Sequence, residues 1–280
     1  MVKIVIDSAA DLAPEIKEKM TVVPMTIRFG NEEYIDGVTI NGKQFYEKLI
    51  DGKVMPSTSQ PTPDDFMRVM QQITDAGDEA VVITISHKMS GTYQSANIAA
   101  AEFPGKVFVV DSQTVTIGEG ILAELALSLA ESGMSASDIA ERLCRERENI
   151  EIIALLDTLE YLKRGGRISK TAAIAGGLLS IKPVISVFDG EINVLGKARG
   201  SKQGNNLLVQ QIESNGGIDF SKPLMLGYTG FSQARLQEYI DDSTALWKNG
   251  VSSLRCAQIG STVGTHAGPG AIAAAFFKKS

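Results

Sequence analysis

Short apolar runs alternate with helical patterns along the first half of this chain, and this alternation limits the folds that it can adopt. Each run ends at polar residues and precedes a helical pattern; the runs occupy residues 4–6, 80–85, 107–110 and 152–156. Apolar runs of this length, bounded by turn residues, are typical of buried strands. Strands that alternate with helices form parallel sheets, which bind ligands at the carboxyl ends of the strands. We therefore predict an α/β fold with these four strands in one parallel sheet.

The second half of the chain carries a different pattern. Residues 181–188 and 191–198 flank the pair Asp189-Gly190, which favours the type I′ turn of an antiparallel hairpin. Further strand patterns cover residues 224–228 and 253–259. Residues 271–277 fit either a helix, because they are rich in alanine, or a short buried strand. We therefore predict a mixed sheet for this half of the chain.

The change of pattern divides the chain into two predicted domains. The pair Gly165-Gly166 is a strong stop for the helix that begins near Thr158. We place an N-terminal α/β domain at 1–160, with a parallel, Rossmann-like sheet and a small hairpin near 21–40. A C-terminal α/β domain with a mixed sheet covers 161–280.

Composition argues against several classes of partner and cofactor. The formal net charge of -6 provides no general attraction to nucleic acid or to an anionic membrane surface. Cys144 and Cys256 lack metal-ligand spacing, and no other metal or nucleotide motif is present. The apolar region 172–188 is broken by Lys182 and Pro183, so it does not predict a membrane span. The chain opens directly into a strand pattern, and we expect a cytoplasmic protein without a metal or cofactor.

Three loops share a composition that suits an anion-binding site. They cover residues 57–61, 86–92 and 264–270, and they combine hydroxyl groups, small residues and the two histidines with few carboxylates. Ser90-Gly91 opens a helix whose first backbone N–H groups are suited to bind an anion. For His266, which lies among glycines, we favour a functional role; for His87, a capping or solvent-facing role is the better interpretation.

Two arginines allow two interpretations each. Arg167 and Arg199 both lie beside glycine in connecting segments. Most arginines in such segments belong to a solvated surface. The alternative is a docking surface for an anionic partner or a phosphate group.

An enzymatic function has weak support in the sequence. Ser90 is not surrounded by the Gly-x-Ser-x-Gly motif of α/β-hydrolases. Either histidine could still form a Ser-His-Asp unit with Asp7 or Asp111, because such triads are defined by geometry rather than by spacing. An acyl-ester hydrolase that uses Ser90 and His266 therefore stays open.

Six motifs, in order along essentially the whole chain, resemble those of the DegV family of bacterial proteins. They are Asp7-Ser8, Thr58-Ser59-Gln60-Pro61, Ser90-Gly91-Thr92-Tyr93-Gln94-Ser95-Ala96, the stretch from Leu159 to Ile168, Ile181-Lys182-Pro183-Val184 and Gly264-Thr265-His266-Ala267-Gly268-Pro269-Gly270. The resemblance implies two α/β domains with a long-chain fatty acid in an apolar tunnel between them. It also favours a strand at 271–277.

The resemblance further implies a function and a set of site residues. Members of the family carry the fatty acid for a separate, ATP-dependent kinase subunit, which makes the acyl phosphate that is used in phospholipid synthesis. Matched by motif, Thr58, Ser90 and His266 would bind the carboxylate, and Arg167 and Arg199 would face the kinase. The neighbours implied for the site are Ser59, Gln60, Gly91, Thr92 and Thr265. A non-enzymatic lipid sensor or chaperone is the remaining alternative.

Overall fold

The computed structural model describes residues 1–52, 54–168, 181–248 and 254–279. The first part of the apolar region 172–188 therefore lies outside the described residues. The strands are β1 Val2–Asp7, β2 Thr21–Val23, β3 Thr26–Phe29, β4 Glu32–Ile35, β5 Ser57–Ser59, β6 Glu79–Thr84, β7 Val107–Asp111, β8 Ile150–Leu155, β9 Ile181–Phe188, β10 Glu191–Arg199, β11 Met225–Tyr228, β12 Cys256–Gln258 and β13 Ile272–Phe277.

The described residues form helices between most of these strands. They are α1 Pro14–Lys17, α2 Gly42–Asp51, α3 Pro63–Asp75, α4 Thr92–Ala100, α5 Ile117–Glu131, α6 Ala136–Glu146, α7 Glu160–Arg164, α8 Gly200–Ser214, α9 Ala234–Asp242, α10 Thr244–Trp247 and α11 Ser261–Ala267. Asn41 and Thr62 are residue types that favour the N-cap position, and they cap α2 and α3, each accepting a hydrogen bond from the backbone N–H three residues later. The pattern of residues 232–248 predicts a single helix, and this prediction is wrong, because α9 ends before Ser243 and α10 begins after it.

The parallel sheet of the first half has the strand order β2-β1-β6-β7. This arrangement confirms the predicted α/β fold and places the ends of β1, β6 and β7 along one edge. The predicted hairpin is confirmed for β3 and β4, while β2 joins the parallel sheet instead. Strand β5 adds to β3 on its other side, which gives a small antiparallel sheet with the order β4-β3-β5.

The second sheet is mixed, as predicted, with the order β10-β9-β8-β13-β11-β12. Placing residues 152–156 in the parallel sheet is wrong, because β8 lies between β9 and β13 and runs antiparallel to both. The cause is that a strand buried on both faces suits the centre of either sheet. Residues 271–277 include the strand β13, so the helix alternative is wrong and the strand is confirmed. The domain boundary near residue 160 stays a prediction.

Buried side chains of the first half hold the segment that leads into α11. The Asp11 carboxylate accepts a hydrogen bond from the Gly260 backbone N–H at 2.9 Å. Asp36 accepts one from the Thr262 hydroxyl at 2.6 Å, and the Tyr46 hydroxyl donates to the Ile259 carbonyl at 2.8 Å. The position of α11 is therefore fixed by residues that lie more than 200 positions away in the sequence.

We predict that stability falls as the pH rises through the range in which Asp7 titrates. Burial raises the pKa of Asp7 from 3.8 to about 7, although backbone N–H groups of Ala9 and Ile85 bind its carboxylate. The folded state therefore holds more protons than the unfolded state between about pH 4 and pH 7. Its free energy of unfolding should decrease across that range, and Asp7→Asn should remove part of the decrease.

Urea unfolding at pH 5 and pH 8 tests this prediction. The difference in unfolding free energy between parent and Asp7→Asn should change with pH, while the variant Asp51→Asn, at an exposed position, should not reproduce that change. A difference between parent and Asp7→Asn that is the same at both pH values would contradict the proposed titration.

Candidate functional site

A largely apolar cavity, in which the centre of a water-sized sphere can reach a volume of about 90 Å³, lies between the carboxyl edge of the parallel sheet and one face of the mixed sheet. Met25, Ile85 and Val115 line it from the first half of the chain, and Ala154 and Ala273 line it from the mixed sheet. Its apolar lining with a small number of polar groups is typical of small-molecule sites. Polar side chains enter the lining at few points, and three of them are the predicted residues Thr58, Ser90 and His266.

Thr58 and His266 meet directly in the cavity wall. The Thr58 hydroxyl oxygen lies 3.0 Å from Nε2 of His266, and the two residues are 208 positions apart in the sequence. Thr58 is placed by β5, where it pairs with Ile27 of β3. His266 is placed by α11. The small antiparallel sheet and the last helix of the chain therefore each supply one half of this pair.

The imidazole of His266 is neutral at physiological pH. Burial, with a smaller contribution from the positive charge of Arg167, lowers its pKa to about 4. Within the described chain, Nδ1 is buried and has no hydrogen-bond partner. It faces Gly165, where a Cβ atom would lie 2.1 Å from Nδ1. Glycine at position 165 is thus required for the ring to occupy this place.

Ser90 reaches the cavity from the loop that follows β6. Its hydroxyl lies 2.8 Å from the hydroxyl of Thr92, which is buried behind it and is absent from the cavity lining. Gln60 donates a hydrogen bond to Ser95 at 3.0 Å, and a Cβ atom at Gly91 would lie 2.2 Å from the Gln60 side-chain oxygen. Gln60 and Gly91 therefore hold the Thr58 loop against α4 rather than contacting the cavity.

Two of the predicted neighbours face elsewhere. Ser59 is exposed and does not line the cavity, because side chains alternate between the two faces of β5. The Thr265 hydroxyl donates to the Ser261 carbonyl one turn earlier, at 2.9 Å, and it is buried inside the protein. Neither side chain contributes to the cavity, so these two assignments rest on the motif resemblance alone.

The two arginines occupy different environments. Arg199 is exposed and does not line the cavity. Arg167 is half-buried in the cavity wall, where it donates hydrogen bonds to the carbonyls of Gly165 at 2.6 Å and Met89 at 3.2 Å. Burial lowers the pKa of its guanidinium, which nevertheless stays charged. The prediction that Arg167 and Arg199 both face the kinase did not anticipate that Arg167 lines the cavity.

Three further hydroxyl groups line the cavity and were not predicted, those of Thr116, Ser186 and Thr262. Thr116 donates its hydroxyl hydrogen to Asp11 at 2.5 Å, and Thr262 donates to Asp36 at 2.6 Å. Both hydrogens are already engaged, so these hydroxyls cannot donate to a ligand without losing a buried bond. The helical spacing of Thr262 and His266, four residues apart on one face of α11, was a signal that could have found Thr262. Thr116 precedes α5 and carries no comparable signal.

The geometry gives little support to the hydrolase alternative. Among the described residues, His266 bonds to Thr58 and Ser90 bonds to Thr92, with no hydrogen bond between His266 and Ser90. His87 is exposed, and its Nδ1 lies 2.5 Å from the Asp111 carboxylate. A Ser-His-Asp unit requires the serine and the carboxylate to contact the same imidazole. No such unit occurs in the described part of the chain.

The described ranges contain neither a candidate metal site nor a candidate membrane span. No group of three or more histidine, cysteine, aspartate or glutamate side chains there could hold a metal ion. None of the helices described is both long and apolar enough to cross a bilayer.

Comparison with known proteins identifies the family. A model described as "Uncharacterised protein, DegV family" matches residues 1–279. The chain belongs to the DegV family. A DegV domain-containing protein of Caldanaerobacter subterraneus subsp. tengcongensis is 35% identical to it over 283 residues, covering 99% of both chains.

Solved structures of other DegV proteins share the whole fold. A fatty-acid-binding DegV family protein from Thermus thermophilus superposes with a TM-score of 0.88 at 31% identity, covering 99% of each chain. A stearic-acid-binding protein from Eubacterium ventriosum superposes with a TM-score of 0.84 at 29% identity, again covering 99% of each chain. Structural neighbours of this chain therefore bind fatty acids.

We predict that Gly165→Ala destabilises the protein through its contact with His266. The backbone at Gly165 has φ -71° and ψ -10°, which alanine adopts without strain, so the added methyl group acts mainly by displacing the imidazole. Overpacking of this kind costs about 1–3 kcal/mol. In a His266→Ala background, the same substitution should cost much less. Urea unfolding of the four proteins measures this coupling, and equal costs in both backgrounds would show that His266 does not fill the space beside Gly165.

Proposed function

We propose that this protein binds one long-chain fatty acid, with the acyl chain in the apolar cavity and the carboxylate beside Thr58, Ser90 and His266. The observation that carries the proposal is the Thr58–His266 pair, which lies in the wall of a largely apolar cavity. A fatty acid has the matching distribution of one polar end and a long apolar chain. Fatty-acid binding by structural neighbours that share the whole fold supports the same ligand class.

The polar groups can satisfy a buried carboxylate. A carboxylate without hydrogen bonds is costly in apolar surroundings. In the neutral tautomer that carries its hydrogen on Nε2, the ring donates to the Thr58 oxygen, and this leaves the Thr58 hydroxyl hydrogen for the ligand. Ser90 supplies a second hydroxyl, and the guanidinium of Arg167 adds a positive charge nearby. Hydrogen bonds that are linked in series, as from His266 through Thr58 to the carboxylate, strengthen one another.

The bound carboxylate would be the substrate of a separate kinase subunit. One carboxylate oxygen would attack the γ-phosphorus of ATP, forming an acyl O–P bond as the bond to the departing ADP breaks. Hydroxyl donors suit this step because they hold the carboxylate without the two-pronged grip of an arginine, which would make it a poorer nucleophile. This chain would supply the positioned substrate, and the partner would supply the nucleotide and its metal. It would thus be a carrier and not itself an enzyme, and we propose a cytoplasmic location for it.

The exposed residue Arg199 is our candidate contact for the kinase subunit. It lies outside the cavity lining, whereas Arg167 lines the cavity and bonds to the loop that carries Ser90. We therefore propose that Arg199 acts on association, while Arg167 acts on both the carboxylate site and the partner. A lipid sensor or chaperone would need the same cavity and no kinase, so the tests below distinguish the two.

We predict that the purified protein carries fatty acid and that Thr58→Ala and Ser90→Ala each weaken its binding. Each substitution removes a donor to a charged group, a bond worth about 1.5–3 kcal/mol, so affinity should fall by about tenfold to a hundredfold. Mass spectrometry of a solvent extract identifies the lipid, and titration with a fluorescent fatty acid measures the affinity. The matched control is Ser59→Ala, which removes an exposed hydroxyl from the adjacent position of β5.

Two outcomes would contradict this proposal. One is a folded parent protein that yields no lipid and binds none in the titration. The other is retention of parental affinity by both Thr58→Ala and Ser90→Ala, which would place the carboxylate elsewhere in the molecule.

We predict that Arg199→Ala leaves fatty-acid affinity unchanged and slows acyl-phosphate formation with the kinase subunit. Charges at the rim of an interface act mainly on the rate of association, so the defect should shrink at high concentrations of the kinase. A coupled assay of ADP release measures it, with Lys202→Ala as a nearby exposed control. Parental rates for Arg199→Ala at limiting kinase would remove Arg199 from the partner surface.

A further inference from the structure

Residues 86–90 form the turn that carries Ser90, and the backbone carbonyl of Ser86 closes this Ser90 turn. The carbonyl accepts hydrogen bonds from the N–H groups of Met89 at 3.0 Å and of Ser90 at 3.1 Å. The Ser86 N–H donates to the carbonyl of Thr114 at 3.0 Å, in the segment between β7 and α5. Ser86 itself is fully buried and lies outside the cavity lining. The place of Ser90 in the cavity wall is therefore set by a residue behind that wall.

The side chain of Ser86 binds a second part of the cavity wall, the tip of the hairpin formed by β9 and β10. Its hydroxyl donates a hydrogen bond to the Gly190 carbonyl at 2.8 Å, and both groups are buried. Gly190 has a φ of +74°, and a Cβ atom there would lie 2.5 Å from the Ser86 hydroxyl oxygen. The hairpin lines the cavity with Ile185, Val187 and Ile192. Ser86 thus joins the Ser90 turn to the hairpin.

Lys88 adds a weaker connection at the same place. Its Nζ lies 2.8 Å from the carboxylate of Asp189, which precedes Gly190 at the hairpin tip. Asp189 is exposed, and an ion pair at an exposed position contributes little to stability. A buried carbonyl that loses its donor, by contrast, is left with an uncompensated desolvation cost. The Ser86 hydroxyl is therefore the stronger of these two connections between the Ser90 turn and the hairpin.

We infer that Ser86 is a positioning residue for the carboxylate site and acts through Ser90. Its hydroxyl fixes the turn against the hairpin, and its carbonyl fixes the Ser90 backbone. Because a hydrogen bond weakens steeply when its distance and angle change, loss of the Ser86 hydroxyl should weaken the bond from Ser90 to the ligand. The inference rests on the proposed fatty-acid function and deepens it by assigning the orientation of one carboxylate donor to a residue that does not line the cavity.

The test is a double-mutant cycle on palmitate affinity, measured by displacement of a fluorescent fatty acid. Ser86→Ala alone should weaken binding by about threefold to tenfold, which is less than the effect of Ser90→Ala. In a Ser90→Ala background the same substitution should have no further effect, whereas in a Thr58→Ala background it should still weaken binding. The matched control is Ser214→Ala, which removes an exposed hydroxyl that also bonds to a backbone carbonyl and should leave the affinity unchanged.

A second variant disrupts the same contact from the hairpin side if Ser86→Ala does not fold. Gly190→Ala would place a methyl group against the Ser86 hydroxyl, and its effect on affinity should depend on Ser90 in the same way. A folded Ser86→Ala protein with parental affinity, or a loss that is equally large with and without the Ser90 hydroxyl, would overturn the inference while leaving the proposed function standing. A parent protein that binds no palmitate would instead overturn the proposed function.

Discussion

The structure depends on the hydrogen bonds by which buried groups of the first half hold the start of α11. Asp11 and Asp36 accept bonds from Gly260 and Thr262, and Tyr46 donates to Ile259. The fold requires the bonds to Asp11 and Asp36 because a buried carboxylate without hydrogen-bond donors would strongly destabilise it. Helix α11 carries Thr262 and His266, so the same bonds fix one wall of the cavity and the orientation of the imidazole. Loss of one of these contacts would therefore disturb both the packing of the two halves and the candidate site.

Hydrogen bonds and strand pairing from residues outside the cavity stabilise the cavity walls. Asp11 and Asp36 accept hydrogen bonds from the hydroxyls of Thr116 and Thr262. These two hydroxyls therefore line the wall with their hydrogens already bonded. The poor strand former Ala273 is held in the sheet by pairing with β8 on one side and β11 on the other. The hydroxyls of Thr58 and Ser90 are not held by a carboxylate in this way, and the proposed carboxylate site lies beside them.

The residues that could be predicted from the sequence are those whose role follows from local chemistry or from a motif. Strand and cap positions such as Thr62 follow from local rules, and the motif resemblance singled out Thr58, Ser90 and His266, which the fold does bring to one cavity. The sheet that contains β8 could not be predicted, because burial on both faces suits either sheet. The side-chain directions of Ser59, Thr265 and Arg167 also depend on tertiary packing, which no local pattern records. The contact between His266 and Gly165 also depends on tertiary packing, so no local pattern predicts it.

The central claim, that a fatty-acid carboxylate binds beside His266, can be tested directly by nuclear magnetic resonance of histidine labelled with ¹⁵N in the rings. The protein has two histidines, so each ring can be assigned with a single variant. The account predicts that His266 stays neutral down to about pH 4 and that palmitate shifts its ring resonances while those of the exposed His87 stay in place. Palmitate binding that leaves the His266 resonances unchanged would contradict the account.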